Sequence, residues 1–422
     1  MLEITRIREQ KEEIIKALKV RNIDASKDIS QIIDLDNQWR IAKSDLEVLA
    51  SESNKLAKEI GGLFKSGKID EANEVKSKAA KIKEQEPALK DKVVKLADEI
   101  TNILYLLPNV PNKIVPAGNA DTDNLVESEF GDLPSLHGGA LPHWELAKKY
   151  DLIDFEMGVK VTGAGFPFYT GKGARLQRSL INFFLDEARD EGYKEIIPPF
   201  VVNEASGIGT GQLPDKEGQM YHSPIDDFYL IPTGEIPLTN MFRDVIVKAE
   251  DFPIKITGYT PCFRREAGSY GSDVRGLNRL HQFDKVEIVR VEHPEKSYEA
   301  LNEMVAYVEG LLKKLELPYR KLRLCGGDLG FTAALTYDLE VYSAAQDKWL
   351  EVSSISNFET FQANRLKLRF KNENKKSVLA HTLNGSALAL PRILAALLEN
   401  NQTENGINIP KVLVPYTGFE KI

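Results

Sequence analysis

From Ile32 the apolar residues Leu35, Trp39, Ala42, Leu46, Leu49, Leu56, Ile60 and Leu63 follow at steps of three and four, with Ser53 standing in the seam once. That spacing repeats every 3.5 residues and demands a partner helix along one stripe. The stretch GGLFKSGKID, carrying Gly61, Gly62 and Gly67, interrupts it. A second seam then runs Val75, Ala79, Ile82, Glu86, Leu89, Val93, Leu96, Ile100 and Ile103. Two seams of similar length joined by a short glycine-containing link predict an antiparallel helical hairpin. At a rise of about 1.5 Å per residue each arm reaches roughly 50 Å. Pro87 removes a backbone donor and is expected to kink the second arm.

Charge is uneven along the hairpin. Lys55, Lys58, Lys65, Lys68, Lys76, Lys78, Lys81 and Lys83 face only Glu59, Asp70, Glu71 and Glu74, so the turn end is basic. An isolated segment of this kind usually serves as a solvated surface or a dimerisation coil. The other reading is an arm that touches a phosphate backbone with mobile point charges. The whole chain has a net charge of -8, which argues against a protein that coats nucleic acid and leaves room only for regional contact.

At 422 residues the chain suggests two or three domains. Pro108, Pro111 and Pro116 end the second arm, giving expected domains of residues 1–110 and 111–422. Beyond them the texture changes to short β-branched runs punctuated by glycine and proline. An amphipathic helix is expected from Ala174, stopped by Gly192, then a strand through Ile196 and Ile197 into Pro198 and Pro199. Strands are expected at FYLIP, IKITGYTPCFRRE, LHQFDKVEIVRV, TYDLEVYSA, WLEVSSISNF and HTLNGSALAL, with helices at EKSYEALNEMVAYVEGLLKKLE and PRILAALLENN. The fold class is α+β, a mostly antiparallel sheet flanked by helices behind the N-terminal hairpin. No signal segment or membrane span is expected, and Cys262 and Cys325 form neither a disulfide framework nor a CxxC pair, which suits a reducing cytoplasm.

The stretch CFRREAGSYGSDVRGLNRLHQFDKVE gathers the chemistry. Arg264 and Glu266, two apart on one expected strand, leave the same face. Across a connection with Gly268, Gly271 and Gly276, the return strand carries Arg279, Phe283 and Glu287 at even spacings. A cross-strand salt-bridge ladder is the plainer explanation and is worth little at a surface. Similar polar pairs recur elsewhere, however: Thr233 with Glu235, Asn384 with Ser386, and Glu351 with Ser353 on the face opposite Leu350 and Val352, Ser354 just beyond. Pro391 marks a helix start with Arg392 in its first turn, a setting that favours an anion. No P-loop and no GxGxxG is present. Arginines to grip phosphates, a ring to stack on a base and carboxylates to read an amine or hold a divalent metal describe a nucleotide pocket of another kind.

These residues resemble those of the bacterial-type seryl-tRNA synthetases, class II aminoacyl-tRNA synthetases, over essentially the whole length. IIPPFVV resembles motif 1, whose proline, here Pro199, lies at a dimer interface; the Cys262–Glu287 stretch resembles motif 2, and NGSALALPRILAALLEN motif 3. GTGQLP, IPTGEIPLTN, GDLGFTAALTYDLEVYSAAQ and EVSSISNF match stretches that set this enzyme apart within its class. The resemblance implies Arg264 and Arg392 as catalytic residues. It implies an ATP site of Arg264, Arg265, Glu266, Arg279, Phe283, Glu351, Val352, Ser353, Ser354 and Arg392. Within it, Arg264 holds the α-phosphate, Glu266 meets the adenine amino group and Phe283 stacks on the ring, while Arg279 and Arg392 bind the outer phosphates. Glu351 and Ser354 are the implied Mg2+ ligands. Thr233, Gly234, Glu235, Arg264, Glu287, Asn384 and Ser386 form the implied L-serine pocket.

The implied activity is ATP-dependent formation of seryl-adenylate followed by transfer to tRNA-Ser, with tRNA-Sec left open. The hairpin would meet the long variable arm of tRNA-Ser while the acceptor end enters the active site of a cytoplasmic homodimer. Two departures stand out: Ala387, Ala389 and Pro391 fill a run that usually carries more glycine, and Leu335 stands where relatives often have lysine. The competing readings are a ligase that loads an amino acid onto a carrier protein, and a non-catalytic coiled-coil tRNA-binding protein.

Overall fold

The computed structural model describes residues 1–215, 218–266 and 275–422, so that Gly268 and Gly271 of the expected glycine-rich connection lie outside the described residues. The chain divides into two compact units. One comprises Leu2–Lys19 and Ile23–Leu107, the other Met1, Val20–Asn22 and Pro108–Ile422.

The first unit is dominated by two long helices packed on each other, α1 (Ser26–Lys65) and α2 (Ile69–Leu106). Ile29, Ile32, Leu35 and Ala42 of α1 and Leu96, Ile100 and Leu104 of α2 are buried, while the seam residues further along, such as Leu56, Leu63 and Val75, are half-buried. That gradient is what a two-stranded seam with no third layer leaves. Gly61 and Gly62 do not interrupt α1. The helix runs on to Lys65, and the reversal occurs at Gly67, whose φ of +75° is the one glycine conformation the turn requires. Pro87 sits inside α2 without ending it: one lost donor is outweighed by the packed seam on either side. All eight lysines of the turn end are exposed.

The second unit is built on an eight-stranded sheet. Its parts are β1 (Leu125–Phe130), α3 (His143–Lys149), α4 (Gly171–Asp190), β2 (Lys194–Glu195), α5 (Glu235–Asn240), β3 (Ile254–Phe263), β4 (Gln282–Glu292), α6 (Ser297–Lys314), β5 (Tyr319–Arg323), β6 (Leu335–Ser343), β7 (Lys348–Asn357), β8 (His381–Ala389) and α7 (Leu390–Asn400). Strand order is β1-β5-β6-β7-β8-β4-β3-β2. Every described ladder in it is antiparallel except β2 with β3.

Alternation divides the sheet into two faces. Val286 and Ile288 of β4, Leu339 and Val341 of β6, Val352 and Ile355 of β7 and Leu383 of β8 join Phe183, Phe184, Leu301, Met304, Val308, Ile393 and Leu397 from α4, α6 and α7 in one core. The other face is polar over its centre, and short α5 lies on it, with Leu238 against Val289 and Ile256. The strand expected through Ile196 and Ile197 is reduced to Lys194–Glu195. Ile196 still donates its N–H to the Thr257 carbonyl at 2.8 Å, but the two prolines that follow have no N–H to extend the ladder. No described helix is long and apolar enough to cross a membrane.

Candidate active site

A cavity of about 360 Å³ opens on the polar face of the sheet. Thr233, Glu235, Arg264, Glu266, Arg279, Phe283, Glu287, Glu351, Val352, Ser353, Ser354, Asn384, Ser386 and Arg392 all line it. Two residues expected in the site do not: Arg265 is exposed, its backbone N–H donating to the Gln219 carbonyl at 2.9 Å, and Gly234 lies behind the wall. A Cβ at Gly234 would come within 3.1 Å of Thr260 Oγ1 and 3.2 Å of Glu287 Cβ. Its small size lets Thr233 and Glu235 approach Glu287.

Several expected pairings arise by a different geometry. Arg264 and Glu266 do not share a strand, because β3 ends at Phe263 and Glu266 has a φ of +48°. Arg279 likewise precedes β4. An ion pair of 3.1 Å from Arg279 Nη1 to Glu266 Oε2 nonetheless brings the two sides of the hairpin together. Thr233 and Glu235 are not strand neighbours either, since Glu235 opens α5. On β7 a bulge intervenes: Ser353 faces Leu339 and Glu351 faces Glu340, so the pairing slips by one residue at Val352. Glu351 therefore shares its face with Ser354, three residues on, instead of with Ser353, whose hydroxyl turns to donate to the Ser386 carbonyl at 2.6 Å.

One end of the cavity is cationic and aromatic. The Arg264 guanidinium lies over the Phe283 ring, 5.2 Å from its centroid, and donates through Nε to the Pro232 carbonyl at 3.3 Å. Arg392, in the first turn of α7, donates to the carbonyls of Glu351 at 2.7 Å and Asn278 at 3.1 Å, with the Glu351 carboxylate 3.4 Å away.

The other end is a buried polar slot. Lys285 Nζ lies 2.6 Å from Glu287 Oε2 and donates to Thr233 Oγ1 at 2.8 Å. The Thr233 hydroxyl donates to Glu287 Oε2 at 3.3 Å, and Asn384 Nδ2 to Glu287 Oε1 at 3.1 Å. Glu235 accepts from Gln362 Nε2 and, at 3.3 Å, from Gln212 Nε2. Burial first, then the nearby Glu287, pushes Glu235 up to about 7; burial also raises Glu287, against the pull of Lys285. Lys285, Gln362 and Gln212 are absent from the sequence-based site. Lys285 was legible by alternation, lying midway between Phe283 and Glu287 on the same face of β4; the glutamines come from distant segments.

Beside Glu351 and Ser354, Asp338 of β6 sits opposite Ser354, and its Oδ1 is buried without a hydrogen-bond partner among the described residues. Burial, then Glu351, raises its pKa well above the usual carboxylate range. Glu351, Ser354 and the unpartnered Oδ1 of Asp338 offer hard oxygen donors of the kind Mg2+ takes together with substrate phosphates and water, so the residues fit that ion.

Residues 1–111 match the family described as seryl-tRNA synthetase N-terminal domain, and residues 221–401 the class II tRNA synthetase core domain shared by the G, H, P, S and T enzymes. A serine–tRNA ligase of Salinibacter ruber is 50% identical over 424 aligned residues, covering 100% of this chain and 99% of the relative. The chain belongs to the seryl-tRNA synthetase family. Among solved structures, a seryl-tRNA synthetase from Pyrococcus horikoshii complexed with ATP superposes with a TM-score of 0.92 at 35% identity, covering 100% of this chain and 99% of that one. A cytoplasmic serine–tRNA ligase from Naegleria fowleri in complex with AMP gives 0.88 at 26% identity, covering 100% and 98%. The helical pair followed by an antiparallel sheet is thus the architecture of the family, and Leu335 and the Ala387–Pro391 run leave it intact.

Proposed function

We propose that this protein activates L-serine with ATP and transfers it to tRNA-Ser. The observation that carries the reading is the single cavity in which a cationic, aromatic end adjoins a buried slot of alternating charges. ATP bound with its adenine toward Phe283 would lay its phosphates along Arg264, Arg279 and Arg392. The same guanidinium groups offer bidentate donors to phosphate oxygens. Glu266 would accept from the adenine amino group. The small amino acid would enter the slot with its ammonium toward Glu287 and Glu235 and its hydroxyl toward Asn384 and Ser386.

In the first step a serine carboxylate oxygen attacks the α-phosphorus, the bond to the bridging oxygen breaks, and pyrophosphate leaves. In the second the terminal ribose hydroxyl of the tRNA attacks the acyl carbon and AMP departs. Neither step needs a covalent enzyme intermediate. Arg264 compensates charge on the α-phosphate, and fixed donors hold the reactants in line. Glu351 and Ser354, supported by Asp338, would hold Mg2+, which when bound neutralises phosphate charge. A slot whose buried polar groups pair with the serine hydroxyl would reject alanine by leaving those groups unsatisfied.

The exposed lysines around the turn of α1 and α2 suit the backbone of the long variable arm of tRNA-Ser, and tRNA-Sec would offer the same chemistry. A homodimer is favoured by apolar side chains left on the surface at motif 1: Ile197 is 85% exposed, with Phe200 and Val201 also open to solvent. The two free cysteines, Cys262 and Cys325, suit a reducing cytoplasm. Pyrophosphate exchange measured across the proteinogenic amino acids tests the whole reading. Serine alone should respond; exchange with another amino acid, or none with serine, overturns it.

A further inference from the structure

His143 and Glu399 are wholly buried and take no part in the cavity wall, yet each is tied to it. Glu399 lies near the end of α7 and accepts from the His143 backbone N–H at 2.9 Å, with its ring Nδ1 at 2.7 Å. The Ser343 hydroxyl and Gln346 Nε2, the latter at 2.9 Å, donate to the same carboxylate. On the far side of the ring, His143 Nε2 accepts the backbone N–H of Leu277 at 2.8 Å. An acceptor on one side and a donor on the other fix the tautomer: Nδ1 carries the proton toward Glu399 and Nε2 offers its lone pair to the Leu277 N–H.

Leu277 belongs to the segment that returns into β4, and the beginning of α3 grips that segment at successive positions. The Arg275 guanidinium stacks on Trp144, 4.7 Å from the ring centroid, and pairs with Glu145 at 3.2 Å. Gly276, with a φ of +66°, passes so close over the imidazole that a Cβ there would come 2.2 Å from His143 Nε2. Asn278 is held in turn, its Nδ2 donating to Gln346 Oε1 at 2.8 Å while Gln346 reaches back to Glu399. The Asn278 carbonyl then accepts from Arg392 Nε, and the next residue is Arg279. One buried carboxylate thus connects, through an imidazole and a carboxamide, to the backbone between two cavity arginines.

We propose that His143, oriented by Glu399, is a positioning residue for the nucleotide: it fixes the Leu277–Asn278 backbone and so sets Arg279 and Arg392 for the outer phosphates. This rests on the ATP site proposed above. None of the hydrogen bonds described above among His143, Glu399, Gln346, Leu277, Asn278 and Arg392 involves Glu287, Asn384 or Lys285, which line the slot proposed for serine. Loss of the Leu277 contact should therefore weaken ATP and spare the amino acid, a split that general destabilisation would not produce.

Two substitutions separate the halves of the imidazole. In His143→Asn the carboxamide falls near the Nδ1 position, keeping a donor for Glu399 but offering Leu277 nothing; in His143→Gln the carbonyl oxygen extends to the Nε2 position and can accept from Leu277. Serine-dependent pyrophosphate exchange is measured on the full chain with ATP and serine varied separately. His143→Asn should raise KM for ATP about tenfold or more, as loss of a buried acceptor predicts, with KM for serine within about twofold. His143→Gln should recover most of that loss. Gln346→Ala, at a partly exposed position, removes only the second tie and should raise KM for ATP by about threefold; it carries the test if His143→Asn does not fold. Equal effects on the two substrates, or no effect of His143→Asn and Gln346→Ala on KM for ATP while Arg392→Ala raises it, would overturn the proposal. An Arg392→Ala enzyme with unchanged KM for ATP would instead remove the nucleotide reading on which it stands.

Discussion

Lys285 Nζ lies 2.6 Å from Glu287 Oε2, and both side chains are almost fully withdrawn from solvent. Removing one member of such a pair leaves a buried charge uncompensated, at a cost of about 3–5 kcal/mol. Lys285→Met should lower the melting temperature and suppress serine-dependent exchange. Adding Glu287→Gln should restore part of the stability without restoring activity; a double variant that melts no higher than Lys285→Met would show that the pair is not what holds the slot.

Glu287→Gln alone separates the two ends of the cavity. Hydrogen bonds to charged groups are worth about 1.5–3 kcal/mol, so KM for serine should rise roughly tenfold to a hundredfold while KM for ATP stays near its parent value. Equal increases for both substrates would contradict the slot assignment.

Glu235 gives the site a pH dependence. Burial and Glu287 lift its folded-state value to about 7, above the ordinary 4.5. The folded form thus holds this proton more tightly than the unfolded chain. Its contribution to stability is full below about 4.5 and is lost as pH rises through about 7. Serine binding should run the opposite way, because only the ionised carboxylate favours an ammonium group. The logarithm of kcat/KM for serine is expected to climb with pH and level off above about 7, with the inflection absent in Glu235→Gln.

Chelation of divalent ions should stop pyrophosphate exchange, and Glu351→Gln should shift the Mg2+ titration to higher concentration. Ser354→Ala should act in the same direction but less, since a neutral hydroxyl is the weaker ligand. Titrations that superpose on the parent curve would remove Glu351 from the metal site.

Replacing Lys76 and Lys78 by glutamate tests the hairpin. Transfer of serine to tRNA should weaken severalfold and become less sensitive to salt, because each phosphate contact contributes to the salt slope. Exchange without tRNA should be unchanged. Loss of both would mean that the substitutions damage the catalytic unit.

The long helical pair was legible because its seam repeats over many turns, and the central strands at Ile254–Phe263 and Gln282–Glu292 because their β-branched runs are bounded by turn residues. The edge strand at Leu125–Phe130 and its neighbour at Tyr319–Arg323 have no counterpart among the strands expected from the sequence. The first is wholly exposed and has little apolar alternation to betray it, and the second follows directly on a helix. Phe283 and Glu287 could be paired by counting in twos, since β4 runs without a slip against β3. Arg264 with Glu266, and Thr233 with Glu235, could be grouped but not oriented, because a left-handed residue and a helix start replace the assumed strand. Gln362 and Gln212 reach Glu235 from segments far away in the chain, and no local spacing announces them.

The slip at Val352 places Glu351 and Ser354 on the open side of the sheet while Val352 and Ile355 stay in the hydrophobic interior. A perfectly regular strand would force a choice between a continuous oily underside and two neighbouring oxygen ligands at this separation. With one surplus residue, the strand keeps its footing below and resets its phase above. Deleting Val352 or Ser353 should therefore cost the enzyme its grip on phosphate-bound cations long before it costs the sheet its order.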